Sequence, residues 1–402
     1  MNDPDLLTAE ALRDPYPLLA GMRERDPVSF SERYGGWMIT GYEACSAAHT
    51  DRRISSDRVG PALRRLQEQG GDERLLATLQ VLADWMVFKD GREHRRLRDL
   101  VQRAFTPRTV ARMRQRVVQI TDELLDALPG GGEVDLVAHF AGPLPATVIA
   151  DMLGAPTSDR DRFRAWSQDL VSLVFAGHGD EGRHARAAAG MAELVASLEA
   201  LVARKRAEPG EDLVSLVVGA DVGEDALGDH EVVAMCTLLL FAGSETTANL
   251  IASGLLGLLR HPDQLERLRG QPALAPSAVE ELLRYDGPAR MSPRVVADEL
   301  DLHGHTLRRG ERAYLVLAAA NRDPEQFAAP DALDIGREPN AHLGFGLGRH
   351  YCLGASLARL EAAIVIPRVL ERLPDLALAR EQLDYAPFLI SRALTALPVR
   401  VG

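Results

Sequence analysis

Apolar positions recur with a helical period over most of the chain, and the strand-like period of two shows only in short runs. The densest apolar stretch, VVAMCTLLLFAG from Val232 to Gly243, runs straight into Ser244, Glu245 and Thr246, so one helix is predicted to carry both. A second helix is predicted just after Cys352, where Leu353, Leu357, Leu360 and Ile364 fall at helical spacing. Thr106 before Pro107 reads as an N-cap with proline at the first helical position, and Ser277 with Glu280 reads as a capping box. Strand candidates are VSF and WMITGY near the N-terminus, SPRVV around residue 295, ERAYLVL at 311–317 and a terminal hairpin near LISRALTALPVRV. Between residues 51 and 88, Gly60, Pro61 and Gly70-Gly71 break helical fragments, a pattern suited to a mobile cover over a pocket. The expected fold is mainly α with a small β part, a large helical body beside a small sheet.

The chain has 402 residues with no Ser-rich or Pro-rich linker and no internal repeat, which reads as one large domain over 1–402. Its composition, 46% hydrophobic and 26% charged, is that of a globular protein with a substantial core and excludes a disordered chain. The 12-residue apolar run is shorter than the roughly 20 residues that span a bilayer, and the acidic start MNDPDLL does not read as a leader, so no membrane partner and a cytoplasmic location are expected. Three separated cysteines, Cys45, Cys236 and Cys352, agree with a reducing compartment and exclude a four-cysteine zinc site.

A net charge of -12 argues against nucleic acid as the default partner, yet it conceals a basic segment. Between residues 92 and 116 nine arginines (92, 95, 96, 98, 103, 108, 112, 114 and 116) stand against Glu93 and Asp99, a local excess of seven. Such a segment is either a solvated helical face or a mixture of groups that neutralise a buried anion and groups that attract an acidic partner.

Three constellations carry candidate chemistry. In AHLGFGLGRHYCLGASLARLE, Cys352 follows Gly344, Gly346 and Gly348 and precedes Gly354, a crowding of glycine where the backbone must bend or admit close approach. A thiol there empties into a helix N-terminus, whose N–H groups and dipole favour the thiolate, the nucleophilic and metal-binding form. In FAGSETTANL, Ala242, Glu245 and Thr246 share one helical face beside Gly243, whose cost in a helix interior suggests close approach of a ligand; an acid and an alcohol side by side suit proton transfer. A core helix with a satisfied threonine explains the same letters. Lastly, Glu281 and Arg284 are three apart and would pair on one helical face, which by itself is commonplace.

In this order, the three resemble the cytochrome P450 family, the haem-thiolate monooxygenases, and specifically the soluble bacterial type. FGLGRHYCLG matches the family's haem-binding loop at Phe345, Gly346, Gly348, His350, Cys352 and Gly354; AGSETT matches its oxygen-activating helix segment, and Glu281-Leu-Leu-Arg284 its E-x-x-R pair. GREHRRLR, ANRDP and PNAHLGFG match flanking text, so the resemblance covers nearly the whole chain. It implies the cytochrome P450 fold, with a long helix over the haem, and haem b held by Cys352 as the axial thiolate, with Phe345 beside the sulfur. It further implies that His94, Arg98, Arg294 and His350 neutralise the propionates, and that Ala242 and Gly243 lie against the haem. Glu281 and Arg284 become a structural pair completed by Arg337 or His342. Thr246 and Glu245 become the catalytic proton route for O2 cleavage. The resemblance places substrate contacts in the segment 58–88 and at Leu238, Leu239, Ala242, Ala289, Arg290, Met291, Phe388, Leu389 and Ile390, with Arg290 bonding a propionate, pointing to solvent or receiving a polar substrate group. With no flavin or iron-sulfur segment, electrons are expected from a ferredoxin and its reductase, docked on the basic segment, and the chain is expected to be a monomer. The near-exclusive use of arginine over lysine suits a GC-rich bacterial genome and natural-product tailoring. Hydroxylation, oxidative coupling and desaturation stay open. Rival readings are a haem-binding sensor or carrier without turnover, and a zinc hydrolase or deaminase using His342, His350 and Cys352.

Overall fold

The computed structural model describes residues 3–175, 181–219 and 227–401. The chain builds two compact units in five alternating segments: 1–55, 117–142 and 246–402 form the first, and 56–116 and 143–245 the second.

The first unit contains a five-stranded sheet in the order Val28–Ser31, Gly36–Ile39, Arg312–Leu315, Ser292–Val296, Ile54–Ser55. Gly36–Ile39 runs parallel to Arg312–Leu315, and every other pairing is antiparallel. Its inner face meets the helix Tyr42–Thr50: Val28, Ile39, Ala44, Cys45, Ala48, Val296 and Leu315 form one buried cluster with Leu343, just upstream of the Cys352 loop. Two helices underlie that loop, Ala275–Asp286, which holds Glu281 and Arg284, and Ala355–Arg372, which starts three residues after Cys352. The long helix Asp229–Arg260 packs on both, and Gly254 permits it, because a Cβ there would stand 3.1 Å from Leu282 and 3.2 Å from Ile366.

In the second unit Trp85, Phe88, Phe175 and Phe241 form an aromatic cluster. The Trp85 indole N–H donates to Thr237 Oγ1 (2.7 Å), which fixes the buried indole against the early turns of the long helix. The segment 58–88 resolves into Val59–Glu68 and Glu73–Ala83, with Gly70 at φ +66° making the turn between them. The helix Gly91–Ala104 leads to Pro107–Asp126, whose expected cap forms: Thr106 Oγ1 accepts from the Thr109 N–H at 3.2 Å.

Two local expectations fail for stated reasons. Ser277 lies inside the helix that starts at Ala275, one residue after Pro276, and its hydroxyl donates back to Leu274 O (2.9 Å), so no capping box forms. The terminal strand Pro398–Val401 pairs with Gly132–Asp135 and Ala377–Leu378 in place of a hairpin, because the preceding segment is held by single bridges, Ala289 to Ser391 and Tyr385 to Leu394. By length and composition the long helix could cross a membrane, but 67% of its most apolar window is buried in protein.

Candidate active site

Cys352 is exposed at the exit of a tight loop whose shape glycine dictates. Gly346 and Gly348 sit at φ +69° and +70°, the left-handed region that a side chain disfavours. Between them and the helix Ala355–Arg372, the Cys352 N–H donates to Phe345 O (2.9 Å), closing the loop with the sulfur one turn ahead of the helix N-terminus. Phe345 is clamped by its neighbours: Tyr351 meets it edge-on at 6.3 Å, and the Arg359 guanidinium lies 4.6 Å from its centroid. Arg359 is in turn bidentate to Glu280 (2.6 and 2.8 Å). Burial alone would raise the Glu280 carboxyl, but Arg359 and His342 pull it down to about 2.

Beneath this loop Glu281 and Arg284 are fully buried and bidentate, at 2.7 and 2.8 Å. The third member is Arg337, whose Nε lies 3.1 Å from both Glu281 oxygens. Asn340 Nδ2 (3.1 Å) and the Asp334 N–H (2.9 Å) complete the carboxylate's shell. Arg284 spends its remaining donors on the carbonyls of Asn321, Pro330 and Ala332. His342 is elsewhere: its Nε2 faces Glu280 (3.0 Å) and its Nδ1 accepts from the Gly344 N–H (3.0 Å). With both nitrogens engaged it is not placed as a zinc ligand, and among the described residues no group of three or more His, Cys, Asp or Glu could hold a metal ion.

Against the same turn lies His49, from the helix Tyr42–Thr50, which the sequence reading did not single out. It is 4% exposed, and neither ring nitrogen has a hydrogen-bond partner. Burial, with Arg294 and His350 adding positive charge, lowers its pKa to about 3. Arg294, half-buried on the strand Ser292–Val296, and His350, half-buried in the Cys352 loop, thus share its surroundings. One sulfur and three cationic or N–H-donating side chains suit a metal-bearing ligand with carboxylate arms.

On the long helix Ala242 is exposed and Glu245, Thr246 and Asn249 are half-buried, while Phe241, Ser244, Thr247 and Leu250 are buried. The expected shared face of Ala242, Glu245 and Thr246 is therefore the accessible stripe of an otherwise buried helix. Burial pushes the Glu245 carboxyl up to about 7, against the opposing charge of Arg164. Gly243 serves the packing: a Cβ there would point at Ile149, 3.2 Å from its Cγ1, so the glycine admits the helix Pro143–Met152. His94 is buried and Arg98 half-buried, one turn apart on the helix Gly91–Ala104.

Of the expected pocket residues, Ala289–Met291 and Phe388–Ile390 are brought together, since the Arg290 and Met291 N–H groups both donate to Ile390 O (2.9 and 3.0 Å). Leu238 and Leu239 are buried in the second unit. Arg290 corrects the expectation. It is 1% exposed and donates to Leu6 O (3.1 Å), so it anchors the N-terminal segment and does not point to solvent. Its burial, with Arg392 nearby, lowers its pKa to about 10.

The basic segment divides as well. Arg96 pairs with Glu231 and Arg116 with Asp151, whereas Arg92, Arg95, Arg108, Arg112 and Arg114 are exposed. Arg112 reaches the exposed Glu211 at 3.4 Å, and the side chain of Arg103 lies outside the described residues.

Comparison with known proteins agrees with this geometry. The model of the family described as "Cytochrome P450" matches residues 61–271 and 273–375. Cytochrome P450 107B1 of Saccharopolyspora erythraea is 43% identical, covering 99% of this chain and 98% of its own. The vitamin D(3) 25-hydroxylase of Pseudonocardia autotrophica is 40% identical, covering 99% and 96%. Among solved structures, the Bacillus subtilis bacillaene polyketide synthase cytochrome P450 PksS superposes with a TM-score of 0.89 at 34% identity, covering 99% of this chain and all of the other. The chain belongs to the cytochrome P450 family and is a haem-iron monooxygenase that uses O2, redox partners and a small-molecule substrate.

Proposed function

We propose that this monooxygenase ligates its haem through Cys352 and inserts oxygen into a hydrophobic small molecule of bacterial natural-product metabolism, with electrons from a ferredoxin and its reductase. The observation that carries the reading is the Cys352 loop: a sulfur exposed at a helix start, held by two left-handed glycines beside a fully buried Glu281–Arg284 pair that Arg337 completes. The residues fit the group. His94, Arg98, Arg294 and His350 would hold the haem carboxylates, and the orphaned nitrogens of buried His49 mark a place that favours a polar partner. When bound, the haem iron supplies oxygen activation, favoured by electron donation from a thiolate ligand.

The protein's own residues do the rest. Phe345, held by Tyr351 and Arg359, shields the sulfur and keeps the loop rigid. Glu245 is protonated in part near neutrality, the state a proton donor needs, and Thr246 follows it on the accessible stripe of the long helix. The apolar segments 289–291 and 388–390 would contribute to an apolar substrate pocket, consistent with relatives named for a vitamin D hydroxylase and a polyketide-pathway enzyme. The exposed arginines 92, 95, 108, 112 and 114 suit an acidic electron donor.

Thr246→Ala tests the proton route. With the native substrate, reductant consumption continues while product formed per reductant falls, by at least about tenfold, as expected when one positioned proton-transfer group is removed. Unchanged coupling would refute the assigned route.

A further inference from the structure

Two buried arginines tie the N-terminal segment to the stretches proposed above as pocket walls. Those stretches are bonded to each other first: the Arg290 and Met291 N–H groups donate to Ile390 O (2.9 and 3.0 Å), the Arg392 N–H donates to Pro288 O (2.9 Å), and Ala289 bridges Ser391. From this pairing the Arg290 guanidinium donates to Leu6 O (3.1 Å). Arg392 donates to the carbonyls of Leu12 and Arg13 and pairs with Asp286. Leu6 is fully buried and its N–H donates to the Tyr34 hydroxyl (2.8 Å), so both its backbone groups are held.

The two arginines are not equivalent. Arg392 has a counter-charge in Asp286. Arg290 is 1% exposed, its side chain bonds a neutral carbonyl, and its Nε has no partner among the described residues. Arg392 lies near enough to repel it. Burying a guanidinium on those terms costs more than one hydrogen bond returns, so an apolar residue would serve packing better. What the donor adds is a fixed distance between the pocket wall and the N-terminal segment. Resting on the pocket reading above, we propose that residues 6–13 are a strap and that Arg290 is a positioning residue, which holds Ala289 and Met291 at the depth where they meet the substrate.

The test uses the ferric holoenzyme and two probes read by the Soret shift. Imidazole coordinates the iron and is too small to reach the walls; N-phenylimidazole coordinates through the same ring and lays its phenyl group among them. Arg290→Met, which keeps the reach and loses the donor, should bind N-phenylimidazole about tenfold more weakly, within the range by which residues remote from a ligand modulate its binding, with imidazole affinity unchanged. Arg290→Lys should restore most of the loss, because one bond to one carbonyl does not need a guanidinium fork. A chain lacking residues 2–7, cut before the Thr8 cap of the helix Ala9–Arg13, should weaken the same probe equally, and Arg290→Met added to it should change nothing further. The deletion carries the test if Arg290→Met fails to load haem. Equal weakening of both probes, additive losses, or lower thermal stability with both affinities unchanged would overturn the proposal. Ala289→Phe tests the pocket reading itself and should exclude N-phenylimidazole but not imidazole. If it leaves both affinities unchanged, the pocket reading fails and the strap with it; if it blocks the probe while Arg290→Met does not weaken binding, the strap alone fails.

Discussion

Replacing Glu281 with glutamine should cost far more than its near-identical volume suggests. The carboxylate accepts Arg284 Nε and Nη2 at 2.7 and 2.8 Å, Arg337 Nε at 3.1 Å on both oxygens, the Asp334 N–H at 2.9 Å and Asn340 Nδ2 at 3.1 Å. Glutamine offers one acceptor and turns an NH2 group toward these donors, leaving Arg284, wholly buried, without its counter-charge. Breaking a buried ion pair from one side costs about 3–5 kcal/mol, a large share of the roughly 5–15 kcal/mol that holds a domain together. The damage should propagate locally, because Asp334, Arg337 and Asn340 precede the Cys352 loop in sequence and fix its approach. Asn340→Ala removes a single charge-assisted bond and should cost about 1.5–3 kcal/mol. Chemical unfolding followed at once by far-ultraviolet circular dichroism and the Soret band would measure both variants, with haem per chain after purification as a second reading. A Glu281→Gln protein within about 1 kcal/mol of wild type and fully loaded would refute the claim that this carboxylate locks the loop.

Three further outcomes follow. Gly243→Ala should be tolerated, since helix propensity gains about 1 kcal/mol while the Ile149 side chain must yield from 3.2 Å; Gly243→Val should destabilise, and Ile149→Ala should rescue it in thermal unfolding, whereas absence of rescue would separate the glycine from that helix contact. Because burial raises the Glu245 carboxyl to about 7, its proton is bound more tightly in the folded state; its contribution to stability is full below the ordinary carboxylate range and is lost as pH rises through about 7. Coupled turnover limited by proton delivery should fall over the same rise, and Glu245→Gln should flatten both the stability and the turnover profiles; an unaltered stability profile would contradict the assignment of the raised group. Charge reversal at Arg112 and Arg114 should slow reduction by ferredoxin at low salt and converge with wild type at high salt, since exposed charges are screened; equal rates at low salt would remove the basic segment as the docking face.

The Cys352 loop was legible because glycine spacing before a helical run leaves few backbone solutions, and Gly346 and Gly348 indeed take left-handed angles. The Ala242, Glu245, Thr246 face was legible from the 3.6-residue period alone. What the letters could not choose was the partner of Glu281: Arg337 and His342 lie in one irregular loop, and only its folded path gives Arg337 to Glu281 and His342 to Glu280. Arg290 misled because the direction of a residue beside an isolated bridge depends on its pairing with residue 390, which no local pattern encodes. That Gly243 also admits the helix bearing Ile149 was not legible, because a glycine inside a helix gives no sign of which neighbour it serves. His49 left no signal, because one histidine on an apolar helix face resembles a core residue until its nitrogens prove to be unpartnered.

The most direct measurement is the absorption spectrum of the reduced purified protein under carbon monoxide, for the wild type and for Cys352→His. The account predicts a red-shifted, thiolate-type Soret band in the wild type and its replacement by the histidine-type band in the variant. A histidine-type band in the native, catalytically coupled wild type, or a thiolate-type band that survives loss of Cys352, would contradict the central assignment.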